Sequence, residues 1–171
     1  MITLILGGEK SGKSGWALQH LLQAPGSRLF VGTARARDLE MRRRIREHRR
    51  DRPAHLPARE ADIDLPAILS QEVPQHGAIL VDSLDFWLFS CVQTDQEELL
   101  RENLLDCLRN TTPTTHLILV SSEIGFGPIQ ATPQARSFVR SLGLLNQQVA
   151  ALADEVVMIV AGLPLWLKGR N

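Results

Sequence analysis

The chain is poor in cysteine: Cys91 and Cys107 are its only two. Neither belongs to a CxxC or Cys/His spacing, which excludes a disulfide framework and the usual zinc-ligand patterns. Two reduced thiols in helices are expected, in a cytoplasmic, reducing setting. No apolar run approaches the ~20 residues of a membrane span. Met1–Gly8 is apolar but only a strand's length, with neither a basic n-region nor a cleavage site, so a signal peptide is not expected. Internal repeats and low-complexity stretches are lacking too. So is net charge, with 19 Lys+Arg against 19 Asp+Glu. What remains is ordinary globular composition, 44% hydrophobic and 22% charged over 171 residues. Residues 1–171 read as a single domain with a real core.

The zero charge hides an asymmetry. Residues 1–60 carry 13 basic and 6 acidic side chains, net +7, and residues 61–171 carry 6 and 13, net −7. Nine of the basic residues lie in Arg35–Arg52. That run lacks the interleaved aromatics of single-strand binders, and nucleic acid is not expected as a partner.

Apolar patterning places strands at Ile2–Leu6, Leu29–Val31, Ala78–Val81, His116–Val120 and Val156–Val160, with an edge strand over Leu163–Lys168. Helical spacing marks Ser14–Leu22, Asp38 to about Arg50, Asp64–Glu72, Asp95 to about Arg109 (with a capping box from Asp95 to Glu98) and Ala135–Ala153. Strands apolar on both faces, alternating with helices, predict an α/β fold with a mostly parallel sheet flanked by helices. The 122–134 stretch is a long loop, of the kind that often carries function.

Between the first strand and first helix lies Gly7-Gly8-Glu9-Lys10-Ser11-Gly12-Lys13-Ser14, a G-x-x-x-x-G-K-[ST] phosphate loop in the context it requires. Its glycines let backbone N–H groups curl around phosphates, and the helix N-terminus adds partial positive charge. Lys13 is placed to reach the β/γ-phosphates and the Ser14 hydroxyl to ligate Mg²⁺. Asp82, at a strand end, is the expected acidic partner of that metal, with Asp85 one turn on as a helper or a simple first-turn acid. In the arginine-rich helix Met41, Ile45 and His48 lie at i, i+4, i+7 and share a face, so His48 turns toward the protein. A neutral imidazole there is a half-buried core residue, or a nucleophile able to carry a phosphoryl or nucleotidyl group, with arginines to neutralise charge.

Several segments share one likeness: Gly7–Ser14; the R-I-x-x-H stretch of Arg44-Ile45-Arg46-Glu47-His48, followed by Arg52-Pro53 and Glu60; Asp82-Ser83-Leu84-Asp85-Phe86-Trp87; Ser121-Ser122-Glu123; and Gly143-Leu144-Leu145-Asn146-Gln147. In order over nearly the whole chain, they resemble the bifunctional adenosylcobinamide kinase / adenosylcobinamide-phosphate guanylyltransferases of cobalamin biosynthesis. The resemblance implies a RecA-like P-loop NTPase fold, a homotrimer, a corrinoid substrate, and ATP and GTP as co-substrates. It implies phosphorylation of adenosylcobinamide, then transfer of GMP through a covalent GMP–histidine, here His48. The family's nucleotide contacts fall on Gly7, Gly8, Glu9, Lys10, Ser11, Gly12, Lys13, Ser14, Gly32, Thr33, Ala34, Arg49, Arg50, Asp51, Arg52, Glu60 and Asp82. The sequence departs from the family pattern at Leu56 (usually Trp), Asp85 (usually Thr), Ser90 and Ser122 (usually Asn) and Arg140 (usually Asp). The His48 stretch is intact, so guanylyl transfer is expected to be the better preserved step. The rival readings are a monofunctional P-loop kinase of another small alcohol and a nucleotide-regulated binding protein.

Overall fold

The computed structural model describes residues 1–35, 39, 42, 46, 50 and 52–169. Among them the elements run β1 (Ile2–Gly7), α1 (Lys13–Gln23), β2 (Arg28–Gly32), β3 (Ala58–Glu60), α2 (Leu65–Glu72), a 3₁₀ turn (Val73–Gln75), β4 (Ala78–Asp82), α3 (Leu84–Cys91), α4 (Glu97–Arg109), β5 (His116–Ser122), α5 (Pro133–Leu152), β6 (Glu155–Val160) and β7 (Leu163–Lys168). The seven strands form one sheet in the order β3-β2-β4-β5-β1-β6-β7. All pairings are parallel except the edge pair β6–β7.

The central strands are buried along their length because helices cover both sheet faces. Their period of two divides the core. Ile2, Leu4 and Leu6 join the cluster under α2, α3, α4 and α5. Ile5 joins Ala17, Leu18 and Leu21 of α1 on the other face. On β7, Trp166 turns to the α1 side and meets Trp16 edge to face. Leu163, Leu165 and Leu167 are left 70%, 55% and 55% exposed. Cys91 and Cys107 are free thiols in α3 and α4. Among the described residues no helix is long and apolar enough to cross a membrane.

The mostly parallel α/β sheet expected from the sequence is what forms, with three local differences. β3 is three exposed residues, too short to show a period. α3 packs Leu84, Trp87, Leu88 and Cys91 into the core and shows little amphipathic contrast. The Asp95–Glu98 capping box does not form: α4 starts at Glu97, and Thr94 Oγ1 accepts from the Gln96 N–H. The helix expected over 38–50 falls largely outside the described residues, including Met41, Ile45 and His48. Leu39, Arg42, Arg46 and Arg50 are helical and exposed, at spacings that share one helix face.

Candidate functional site

The C-terminal ends of the six parallel strands lie at one edge, where open α/β sheets bind ligands. Gly7 of β1 is level with Ser122 of β5, and Gly32 of β2 with both Glu60 of β3 and Asp82 of β4. β5 stands between β1 and β4, so Asp82 approaches the phosphate loop from the next strand but one.

The loop is closed tightly on itself. A Cβ on Gly7 would lie 2.5 Å from Ser11 Oγ and 2.9 Å from the Ile159 carbonyl oxygen, so only glycine fits. Gly12 takes φ 94°, a left-handed turn into α1. The Ser11 N–H donates to the Gly8 oxygen at 3.3 Å, and the Gly162 N–H donates to the Ser11 oxygen at 2.9 Å, tying the loop to the β6–β7 turn. No side chain caps the first turn of α1. Its N–H groups are therefore available to an anion.

Lys13 is only 7% exposed, and its Nζ donates to the Gly8 oxygen at 3.1 Å. Ser11 Oγ is buried with no hydrogen-bond partner among the described residues. Ser14 Oγ donates to Asp82 Oδ1 at 3.3 Å. A hydroxyl and a carboxylate converging beside a phosphate loop are hard oxygen donors of the kind that suit Mg²⁺, which is bound by one or two protein oxygens plus phosphates and water. No cluster of three or more His, Cys, Asp or Glu that could hold a metal is found among the described residues.

Thr33 fixes the strand end that carries Asp82. Its buried Oγ1 donates to the Ser83 oxygen at 2.6 Å and accepts from the Ser83 N–H at 2.8 Å, while its own N–H donates to the Asp82 oxygen at 3.2 Å. The Asp82–Ser83 peptide is cis. The Ala61 N–H donates to the Gly32 oxygen at 2.8 Å, which holds β3, and with it Glu60, beside this edge. Ala34 follows Thr33, half-buried. The Arg52 guanidinium lies 4.1 Å from the centre of the Phe30 ring, a cation–π contact on the α1 side of the sheet. Arg50 is exposed. His48, Arg49 and Asp51 lie outside the described residues.

Spacing in the sequence does not reveal a second polar group at the edge. Ser122 Oγ donates to Asp85 Oδ2 at 2.8 Å, so two positions that depart from the family pattern pair with each other. Asp85 Oδ1 is buried without a partner among the described residues. Ser121 Oγ donates to Asn146 Oδ1 at 2.6 Å, and Asn146 Nδ2 donates to the Ser122 oxygen at 3.1 Å. That buried pair pins α5 to the end of β5. The Gly143–Gln147 motif flagged Asn146, but only the fold supplies its task. Glu123 donates its N–H to the Gly7 oxygen at 3.1 Å, and its Oε1 accepts from the Gly125 N–H at 2.7 Å.

Burial raises both thiols: Cys91 is pushed up to about 12, with Asp62 and Glu97 adding to the effect, and Cys107 is shifted the same way. Neither is poised as a nucleophile.

A family model described as cobinamide kinase / cobinamide phosphate guanyltransferase matches residues 3–167. The chain is 40% identical over 173 residues to the bifunctional adenosylcobalamin biosynthesis protein CobP of Pseudomonas aeruginosa, covering 99% of each. It is 28% identical over 185 residues to the bifunctional adenosylcobalamin biosynthesis protein CobU of Salmonella typhimurium, covering 98% of this chain and 100% of that one. Among solved structures it is similar to an ATPase from the type III secretion system of pathogenic bacteria, with TM-score 0.60 and 10% identity over 92% of this chain and 50% of that one. It is also similar to the flagellar accessory protein FlaH of Methanocaldococcus jannaschii, with TM-score 0.55 and 14% identity over 98% and 77%. At these identities the likeness is one of fold, the P-loop NTPase fold that the family resemblance implies.

Proposed function

The chain belongs to the cobinamide kinase / cobinamide phosphate guanyltransferase family, and from that premise we propose that it carries out both reactions itself. It phosphorylates the aminopropanol hydroxyl of adenosylcobinamide with ATP or GTP. It then moves GMP from GTP onto the new phosphate, giving adenosylcobinamide-GDP and pyrophosphate. The observation that carries this reading is the Ser14–Asp82 contact beside an uncapped phosphate loop, in a chain matched over residues 3–167.

In this reading the backbone of Gly7, Gly8, Glu9, Lys10, Ser11 and Gly12 cradles the phosphates. Lys13 neutralises the β/γ charge. Ser14 and Asp82 hold Mg²⁺, which supplies charge neutralisation on the phosphate oxygens. Gly32, Thr33, Ala34 and Glu60 form the neighbouring wall, and Arg49, Arg50, Asp51 and Arg52 border the triphosphate. For GMP transfer, a neutral His48 nitrogen attacks the α-phosphorus and pyrophosphate departs. An oxygen of the corrinoid phosphate then attacks the same phosphorus and frees His48. Each chain works as one domain over residues 1–171 in a cytoplasmic homotrimer. The uncovered leucines of β7 favour such an assembly, since an apolar edge strand is one that proteins normally cover.

Incubation with α-labelled GTP and Mg²⁺, followed by mapping of the labelled residue, tests the reading. The expected product is an acid-labile, base-stable phosphoramidate on His48, absent from His48→Ala, in protein that sediments as three chains. Wild-type labelling of His48→Ala removes the nucleophile assignment. Transfer from γ-labelled but never α-labelled GTP leaves a simple kinase.

A further inference from the structure

Asp85 sits in the first turn of α3, three residues beyond Asp82. Its two oxygens differ. Oδ2 accepts from Ser122 Oγ at 2.8 Å, and Oδ1 is buried with no partner among the described residues. A buried carboxylate oxygen left without a donor is costly, and native structures keep few of them; a catalytic role is one of the reasons to do so. The location is specific. Ser122 is level with Gly7, the first residue of the phosphate loop, and Glu123 donates its N–H to the Gly7 oxygen at 3.1 Å. On the other side, Ser83 and Leu84 are all that separates Asp85 from the carboxylate bonded to Ser14.

We propose that Asp85 Oδ1 accepts the proton of the acceptor hydroxyl in phosphoryl transfer, with Ser122 fixing the rotation of the carboxylate. The assignment rests on the kinase half of the proposed function. The alcohol oxygen bonds to the γ-phosphorus, and the bond from that phosphorus to the β–γ bridging oxygen breaks. Its electron pair leaves on the nucleoside diphosphate, while the hydroxyl proton passes to Asp85, which gives it up once the products have left. Guanylyl transfer needs no such base, because its acceptor is a phosphate oxygen that is already ionised at neutral pH. The two reactions therefore differ in their need for Asp85. Glu123 is the rival base, but its Oε1 already accepts from the Gly125 N–H at 2.7 Å and shapes the loop. A purely structural first-turn acid on α3 serves both reactions alike.

The test measures both steps in the full-length protein: kinase turnover with ATP and adenosylcobinamide, and GMP transfer from GTP to supplied adenosylcobinamide phosphate. Asp85→Asn is expected to lower kinase kcat by about 10²–10⁴-fold, with KM for ATP and the rate of GMP transfer within about threefold of wild type. Ser122→Ala is expected to lower kinase kcat by about tenfold with the same selectivity, as a positioning residue does. Kinase kcat within about threefold of wild type in Asp85→Asn, equal loss of both steps, or selective kinase loss in Glu123→Gln instead overturns the assignment. If Asp85→Asn does not fold, Ser122→Ala decides: selective kinase loss supports the proposal, and equal loss or none overturns it. A wild-type protein that transfers GMP but never phosphorylates the alcohol overturns the base while leaving the guanylyltransferase standing. One that does neither overturns the functional reading itself.

Discussion

At the N-terminal ends of the parallel strands side chains close on neighbouring backbone and on one another, whereas at their C-terminal ends two buried hydroxyl and carboxylate oxygens go without a partner among the described residues. At the first edge Thr115 Oγ1 reaches the Val73 and His76 oxygens at 2.8 and 3.0 Å, and the Met1 ammonium donates to the Thr115 oxygen at 2.9 Å. The Ile2 N–H donates to Asp154 Oδ2 at 2.7 Å. Thr3 Oγ1 lies 2.9 Å from His116 Nε2 and donates to Glu155 Oε2 at 3.2 Å. At the second edge Ser11 Oγ and Asp85 Oδ1 are buried without partners among the described residues, and no side chain caps α1. Because an unmet buried polar group costs stability, the two ends of one sheet divide its tasks. One end holds the fold, and the other keeps hydrogen-bonding capacity for a substrate.

The largest effect expected from that division is at Lys13. Lys13→Ala is expected to slow both reactions by about 10²–10³-fold or more, because the charge that develops on the phosphates loses its buried counter-charge. Thermal stability without nucleotide should fall little, since this edge is not the one that holds the fold. GTP at about 100 times its dissociation constant should stabilise wild type by about 2.7 kcal/mol and the variant far less. Melting curves with and without GTP check this. A variant that unfolds early, or that GTP protects as well as wild type, breaks the comparison.

The converse change lies at the opposite edge. Thr115 is buried, and Thr115→Val leaves the Val73 and His76 carbonyls short of a donor. The expected cost is about 1–3 kcal/mol of folding stability. That corresponds to roughly 2–4 °C in Tm per kcal/mol for a chain of this size. The KM for GTP and both turnover rates should not change. Urea unfolding alongside both assays measures it, and a loss of turnover at temperatures where the variant is folded would place this edge in the catalytic machinery.

What the sequence makes legible follows the range of the interactions. The phosphate loop, the buried strands and the long helix α5 declare themselves within a dozen residues, through glycine spacing and periodicity. The Thr132 side chain caps α5 by accepting from the Ala135 N–H at 3.2 Å, a local contact of the same kind. The polar contacts that shape the site are long-range. Thr33 and Ser83 are 50 residues apart, Asp85 and Ser122 are 37 apart, and Ser121 and Asn146 are 25 apart. No periodicity records them. Nor does periodicity record that β5 inserts between β1 and β4, which sets Asp82 one strand away from the strand that carries the loop. Asp85 shows the limit best. As a departure from the family pattern it cast doubt on the kinase step, yet its hydrogen bond to Ser122 makes the two departures one unit.

The smallest expected effect sharpens the comparison through pH. Burial, and next the Met1 ammonium, push the pKa of His116 below the usual histidine value, with Glu155 and Asp154 pulling upward and His20 adding to the downward shift. The native state thus binds protons at this site less readily than the unfolded chain. The contribution of His116 to stability is complete above the ordinary histidine pKa of about 6.5 and is lost as pH falls from there toward the lowered value. Wild type should therefore lose urea resistance as pH falls below the ordinary histidine value of about 6.5, and His116→Gln should lose less. Kinase and guanylyl transfer rates of the variant at neutral pH should match wild type, because the ring lies at the edge away from the phosphate loop. Equal slopes in the two proteins would mean that His116 titrates alike in the folded and unfolded chains. A matching drop in turnover would mean that the two edges are coupled, and the division of labour between them would fail.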